Sequence, residues 1–111
     1  MSESERKALG LLGLGARAGR LAIGVEAAHA ALRRGKAEAI VMPTDASARA
    51  KEQLVVLAGH KQVPLLSVGD AERLGGALGR PPVHGVAVLD RQLARGLRNT
   101  VSHDLKEKAA G

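Results

Sequence analysis

Residues 39–54 read AIVMPTDASARAKEQL, and this stretch decides the fold class. The apolar run AIVM, closed by Pro43, predicts a short strand. Asp45 or Ser47 is then typical of a helix N-cap, and apolar residues follow at helical spacing through Leu54. Because the strand carries no polar position, both of its faces are expected to be covered. A buried strand followed at once by an amphipathic helix indicates an α/β domain.

The same alternation of helices and apolar strands extends outward from this stretch in both directions. Ser2 and Glu5 have the spacing of a capping box, and Gly35 and Gly59 mark helix ends. Pro64 lacks an N–H group, so it is expected at the start or the edge of its strand. The predicted order is helix 3–17, helix 24–34, strand 39–42, helix to residue 59, strand 63–68, helix 70–78, strand 85–89 and helix 90–99.

These elements predict a three-layer α/β/α sandwich with a short, mostly parallel or mixed sheet. The length of 111 residues allows one domain. We assign residues 1–99 to that domain. Residues 100–111 lose the helical periodicity and are expected to form a polar C-terminal tail.

The composition narrows the function. The chain carries 17 Lys+Arg against 11 Asp+Glu, a net charge of +6, and the excess lies in residues 1–37 and 91–111. Basic ends around a neutral middle are typical of a surface that meets phosphates. The sequence contains no Phe, Tyr or Trp, which excludes a sheet that stacks single-stranded bases on aromatic rings. It contains no Cys, which excludes disulfides and thiolate metal sites and agrees with a reducing cytoplasm.

Motifs for catalysis, cofactors or membrane insertion are missing from the sequence. Glycines cluster over residues 10–19, but no strand precedes them, so a dinucleotide site is not expected. No P-loop and no nucleophile elbow occur, and the four histidines lack the spacing of metal ligands. Asp45, Asp70 and Asp90 each precede a helical segment and are interpreted as N-caps. No apolar run reaches the ~18 residues of a membrane span, so membrane association is not predicted. From the missing motifs, no enzymatic activity, metal site or cofactor is predicted either.

The candidate binding site is the start of the second predicted helix, at Gly24. Free backbone N–H groups and the positive end of the helix dipole meet there, which makes an anion site. Arg17 and Arg20 come shortly before it. A solvated amphipathic helix explains the same spacing equally well. The helix face opposite the apolar stripe carries Glu26, Ala27, Ala30, Arg33 and Arg34.

A series of short motifs runs through residues 5–99. They are RAGRL at 17–21, Gly24 followed by GKA at 35–37, IVMPTDAS at 40–47, VPL at 63–65 and LGGALG at 74–79. Their order and spacing resemble the ribosomal protein L7Ae/L30e superfamily, most of all its short bacterial ribosomal-like members. The resemblance implies an α/β/α sandwich that binds kink-turns, which are sharply bent helix–bulge–helix elements of RNA.

The resemblance places recognition at the start of the second helix and in the loop before the last strand. Gly24 matches the family's glycine, Val25 follows it, and Glu26 stands at the family's asparagine position. Ala27 and Ala30 stand where the family has a glutamate and a phosphate-binding lysine. The other residues assigned to the RNA site are Arg17, Arg20, Arg33, Arg34, Thr44, Gly79, Arg80, Pro81 and Val83.

We therefore predict a non-enzymatic, monomeric, cytoplasmic protein that binds structured RNA, with a kink-turn in ribosomal RNA as the implied target. The alternative is a protein-interaction module on the same fold, in which specific kink-turn recognition is lost with the family's Asn, Glu and Lys side chains. A small-molecule enzyme that uses the strand ends is the third interpretation, and it lacks a nucleophile, a metal cluster and a phosphate loop.

Overall fold

A four-stranded mixed sheet lies between two layers of helices in the computed structural model, which describes the backbone of residues 2–110 and the side chains of residues 2–101. The three-layer α/β/α sandwich predicted from the sequence is confirmed. The elements in chain order are α1 (Glu3–Arg17), β1 (Leu21–Ile23), α2 (Val25–Arg33), β2 (Ala39–Met42), α3 (Ala48–His60), β3 (Leu65–Ser67), α4 (Ala71–Ala77), β4 (Val86–Val88) and α5 (Arg91–Ala110).

The strands lie in the order β1–β4–β2–β3, so the last of them along the chain enters the middle of the sheet. β4 pairs antiparallel with both neighbours, whereas β2 and β3 run parallel. The sheet is therefore mixed, and the mostly parallel arrangement that the sequence also allowed does not occur. Residues 21–23, which the sequence left unassigned, form β1 and pair with β4. Three residues are too few to show a strand pattern, and an apolar run predicts burial but not strand direction.

The side chains of the central strands alternate between two cores. In β2, Ala39 and Val41 face the core under α1, α4 and α5, whereas Ile40 and Met42 face the core under α2 and α3. β4 alternates in the same way. Both strands are fully buried, as their unbroken apolar runs predict. Alanine is the most frequent residue type in these cores, so the helices pack on the sheet through small aliphatic side chains.

Most of the predicted caps form. The Ser2 and Ser47 hydroxyls accept hydrogen bonds from first-turn amides of α1 and α3 at 3.0 and 3.1 Å, respectively. Asp70 caps α4 at 2.8 Å, and the Asp90 carboxylate accepts from the Gln92 amide at 2.8 Å. The interpretation of Asp45 as an N-cap of the helix that follows it is wrong, because Ser47 caps α3. The Asp45 carboxylate instead accepts from the first amide of α4 at 2.8 Å and connects the segment after β2 to that helix.

Two further expectations are wrong. β3 is not covered on both faces, since Leu65 and Ser67 are exposed on a strand at the edge of the sheet. The last helix does not end near Asn99, because α5 continues to Ala110 and replaces the irregular tail expected over residues 100–110. Lys, Glu and Ala predominate at its end, and these helix formers outweigh the lost periodicity. The side chains of residues 102–111 lie outside the described residues, and the domain limit at residue 99 stays a prediction.

The two ends of the strands form different surfaces. We call the end of the sheet where β1, β2 and β3 finish and β4 begins the front end, and it carries Gly24, Thr44 and Gly85. The opposite end, the back end, carries Arg20 and Leu89, whose amide donates to the Arg20 carbonyl oxygen at 2.9 Å. This division decides which of the predicted site residues lie close together.

The loop formed by residues 79–85 connects α4 to β4 and is held against α4 by backbone hydrogen bonds. The Val83 amide donates to the first carbonyl of α4 at 3.0 Å, and the Arg80 amide donates to the Gly75 carbonyl at 2.9 Å. A Cβ atom on Gly75 would fall on the Pro81 carbonyl group and 2.9 Å from the Arg80 carbonyl oxygen. The position of the loop therefore depends on glycine at position 75.

Gly75→Ala is expected to lower the free energy of unfolding by about 2 kcal/mol, because the added methyl group displaces backbone rather than a flexible side chain. Gly76→Ala is the matched control, since a Cβ there meets nothing within 4 Å. It is expected to raise the free energy of unfolding by up to about 1 kcal/mol through helix propensity. Urea unfolding followed by far-ultraviolet circular dichroism measures both. Equal effects of the two substitutions would contradict the tight approach of the loop.

Candidate nucleic-acid interface

The turn at Gly24 joins β1 to α2 and exposes the start of that helix. Gly24 has φ +106, a conformation that favours glycine. No side chain caps the helix at this residue. Within the described residues, no group outside the helix accepts a hydrogen bond from the first-turn amides of α2, which lie at the positive end of the helix dipole. This geometry suits the anion site expected from the sequence, and anion binding there stays a prediction.

The loop of residues 79–85 lies directly against this turn. The Gly24 amide donates to the Gly85 carbonyl oxygen at 2.8 Å, which joins the start of α2 to the end of the loop. The His84 Nδ1 atom accepts a hydrogen bond from the Ser47 amide at 3.1 Å. The loop is thus fixed by α4 on one side and by the starts of α2 and α3 on the other.

An open concavity of about 450 Å³ lies between the start of α2, the start of α3 and the loop. Two prolines form its exposed wall, and Val83 is buried below them. Backbone and small or aliphatic groups make up most of its surface, with two arginines at its rim. The lining residues are Ile23, Gly24, Val25, Ser47, Arg49, Arg80, Pro81, Pro82, Val83 and His84.

The charges at the rim are accessible. Arg49 forms an ion pair with Glu26 at 2.8 Å, and the two side chains are 63% and 86% exposed, respectively. Ion pairs this exposed contribute little to stability, so Arg49 can exchange Glu26 for another anion at small cost. Arg80 is also exposed and has no ion-pair partner among the side chains of residues 2–101.

The front end brings together part of the predicted RNA site. Gly24, Val25, Arg80, Pro81 and Val83 line the concavity. The remaining front-end residues do not line it: Glu26 lies at the rim, Ala27 and Thr44 are exposed, and Gly79 starts the loop.

The other four arginines of the predicted site lie elsewhere. Arg17 ends α1 and Arg20 precedes β1, so both lie at the back end, with Arg20 paired to Asp90. Arg20 is separated from Gly24 by the length of β1, roughly 13 Å for four extended residues. Arg33 and Arg34 end α2 at the same back end, and Ala30 lies between the two groups. The structure therefore divides the predicted RNA-site residues between the two ends of the sheet, and their assignment to RNA binding stays a prediction.

Four lining residues were not assigned to the site from the sequence, namely Ile23 at the end of β1, Ser47 and Arg49 at the start of α3, and His84 in the loop. Pro82 lies within the loop that the resemblance implied. The sequence alone gives no signal for Ser47 and Arg49 at the site. They lie at the same end of the sheet as Gly24 because β1 and β2 run in the same direction, which only the folded sheet shows. His84 gives no signal either, since only the folded loop brings it to the start of α3.

Comparison with known proteins decides the family. A model of the ribosomal protein L7Ae/L30e/S12e/Gadd45 family matches residues 6–98. The chain belongs to this family. The match covers the front end, the back end and every predicted RNA-site residue, so the L7Ae/L30e resemblance found in the motifs is confirmed.

Two solved structures share the fold of this L7Ae-family chain. A protein of unknown function from Bacillus halodurans superposes with a TM-score of 0.81 at 32% identity, covering 86% of this chain and 97% of that one. A 15.5 kD RNA binding protein from Giardia lamblia superposes with a TM-score of 0.76 at 22% identity, covering 93% of this chain and 91% of that one. No curated protein matches the chain.

Within the described residues, no group of three His, Asp or Glu side chains is placed to hold a metal ion. The helices over residues 2–110 are too short or too polar to span a bilayer.

His84→Ala is expected to lower the free energy of unfolding by about 1 kcal/mol, because the half-buried Ser47 amide loses its acceptor. Hydrogen exchange at the Ser47 amide should become faster. His60→Ala removes an exposed histidine at the end of α3 and serves as the control, with an expected change within about 0.5 kcal/mol. Unchanged exchange at Ser47 in His84→Ala would show that this hydrogen bond does not hold the loop.

Proposed function

We propose that the protein binds structured RNA, without catalysis, at the concavity between α2 and the loop of residues 79–85. The observation that carries this proposal is the joining of an uncapped helix start to a proline-rich loop, with Arg49 and Arg80 at the rim. Membership of a family named for ribosomal proteins supports RNA binding. The net charge of +6 supports it as well.

The concavity suits a bent RNA better than a single strand. The chain has no aromatic ring on which a base could stack. The start of α2 offers backbone amides to phosphates or base edges, and the arginines offer charge-assisted hydrogen bonds to phosphates. Pro81 and Pro82 present an apolar surface to a base that has left its helix. These features support a kink-turn as the bound element, and the family's ribosomal description supports ribosomal RNA as the molecule that contains it.

A second function is favoured by one observation at the rim. Glu26, which stands at the family's asparagine position, is engaged by Arg49 at 2.8 Å. Ala27 and Ala30 offer no polar group for base recognition. A protein-interaction module that uses the same concavity is therefore the competing proposal. The monomeric state and the cytoplasmic location expected from the sequence stay predictions.

Electrophoretic mobility shift with two RNAs tests the proposal. One RNA contains a consensus kink-turn, and the other has the same length with the bulge removed so that it stays straight. We expect tighter binding of the kink-turn RNA. Equal and weak binding of both, with a steep loss as salt rises, would leave only non-specific phosphate binding. No binding of either RNA, together with recovery of a defined protein complex, would favour the interaction module.

Arg80→Ala and Arg49→Ala are expected to weaken binding of the kink-turn RNA, because each removes a cation from the rim of the concavity. Each should lower the slope of log K against log salt by about one unit per lost phosphate contact. Arg95→Ala is the matched control, since it removes an exposed arginine of α5 on the other helical layer. The same loss in Arg95→Ala would show that net charge, and not the concavity, determines affinity.

Glu26→Gln is expected to raise affinity for both RNAs, because the substitution removes a negative charge and releases Arg49 from its ion pair. The change is measured by titration at fixed salt. Glu52→Gln, which removes an exposed carboxylate from α3, controls for net charge. A selective loss of kink-turn binding in Glu26→Gln would instead show that Glu26 accepts hydrogen bonds from a base.

A further inference from the structure

Four cations lie together at the back end, where α2 and α3 finish. Arg33 and Arg34 end α2, Lys36 follows two residues later, and Lys61 follows the last residue of α3. The Lys61 Nζ atom lies 3.4 Å from the Arg33 carbonyl oxygen, which brings the two helix ends into contact. All four residues are exposed. We call them the back cluster.

The back cluster has no acidic partner among the side chains of residues 2–101. Two acids lie at the same end of the sheet. Asp90 is paired with Arg20, and Glu38 is half-buried where β2 begins and forms no ion pair with the back cluster among the side chains of residues 2–101. Arg33, Arg34 and Lys36 are near neighbours in the chain, so their charges lie within about one Debye length of each other and repel. A bound polyanion would relieve that repulsion.

Helix dipoles explain only part of this charge. Arg33 lies in the last turn of α2, and Lys61 reaches the carbonyl group at that helix end. Arg34 and Lys36 lie after the last turn, where the dipole no longer favours a cation strongly. The helix dipole therefore does not explain the positions of Arg34 and Lys36.

The exposed face of α2 connects the back cluster to the concavity. Glu26 lies near the start of this face and is paired with Arg49, and the half-buried His29 lies at its edge. Ala27 is exposed and Ala30 is half-buried, so the middle of the face between Glu26 and Arg33 carries small side chains. The helix has nine residues and spans roughly 13 Å. That length corresponds to about four base-pair steps of a nucleic-acid duplex. A helical stem that starts at the concavity can therefore lie along α2 and reach the back cluster.

We propose that the back cluster is a second RNA contact, which binds backbone phosphates of the stem that leaves the concavity along α2. This inference rests on the RNA binding proposed above. It assigns separate roles to the two ends of the protein: the front end binds the bend, and the back end binds the duplex beside it. Affinity must then depend on the length of that stem.

Two kink-turn RNAs test the inference. The short RNA has a stem that ends within about three base pairs of the bend, and the long RNA extends that stem by about one helical turn of roughly ten base pairs. Wild-type protein is expected to bind the long RNA about tenfold more tightly, with a steeper salt dependence, because more phosphates are contacted. Straight RNAs of the same two lengths are measured in parallel.

The variant replaces the whole back cluster by glutamine: Arg33→Gln, Arg34→Gln, Lys36→Gln and Lys61→Gln. The matched control changes net charge by the same amount at exposed residues of α1 and α5: Lys7→Gln, Arg91→Gln, Arg95→Gln and Arg98→Gln. Circular dichroism and thermal unfolding establish that both variants fold. The back-cluster variant should lose the advantage of the long RNA and bind the short RNA within about threefold of wild type. Its salt slope on the long RNA should fall by about two to four units.

The outcomes separate the two proposals. Equal losses on the long and short RNAs, or equal losses in the control variant, overturn the second contact. Wild-type preference for kink-turn over straight RNA without any effect of stem length overturns the second contact alone and leaves the front-end proposal intact. No preference for kink-turn RNA at either length overturns the proposed function, and the inference falls with it.

Discussion

The hydrogen bond from the Gly24 amide to the Gly85 carbonyl oxygen depends on the position of β4 between β1 and β2, and the candidate site depends on that bond. Since β4 is hydrogen-bonded to β1 on one side and to β2 on the other, its first residue cannot move away from the start of α2. The loop before β4 is consequently part of the same rigid surface as the helix. The concavity thus forms only when residues far apart in the chain have completed the sheet.

Much of the fold could be predicted from local pattern. Apolar runs marked β2 and β4 correctly, and Ser47 and Asp70 marked the starts of their helices. Strand order and direction could not be predicted, because an apolar run looks the same in either direction. The exposure of Leu65 could not be predicted from the apolar run either, since an edge strand and a central strand can have equally apolar sequences.

Site residues could be predicted from the sequence where their position depends on a single helix or strand. They could not be predicted where their position depends on how several elements are arranged. Gly24 was identified because a helix start is visible in the sequence. Arg49 was missed because its role comes from the direction of β2 relative to β1. Arg20 and Arg33 are close to Gly24 in the chain, yet the strand and the helix that intervene place them at the opposite end of the sheet.

The alanine-rich cores have a consequence for how the chain folds. Burying an alanine removes less apolar surface from water than burying a leucine, so each such residue contributes less hydrophobic stabilisation. An alanine also has no rotamers to lose, whereas a long side chain loses several when it is buried. The helices therefore come close to the sheet with little loss of side-chain freedom. Each buried alanine thus contributes little hydrophobic stabilisation, and its burial also costs little conformational entropy.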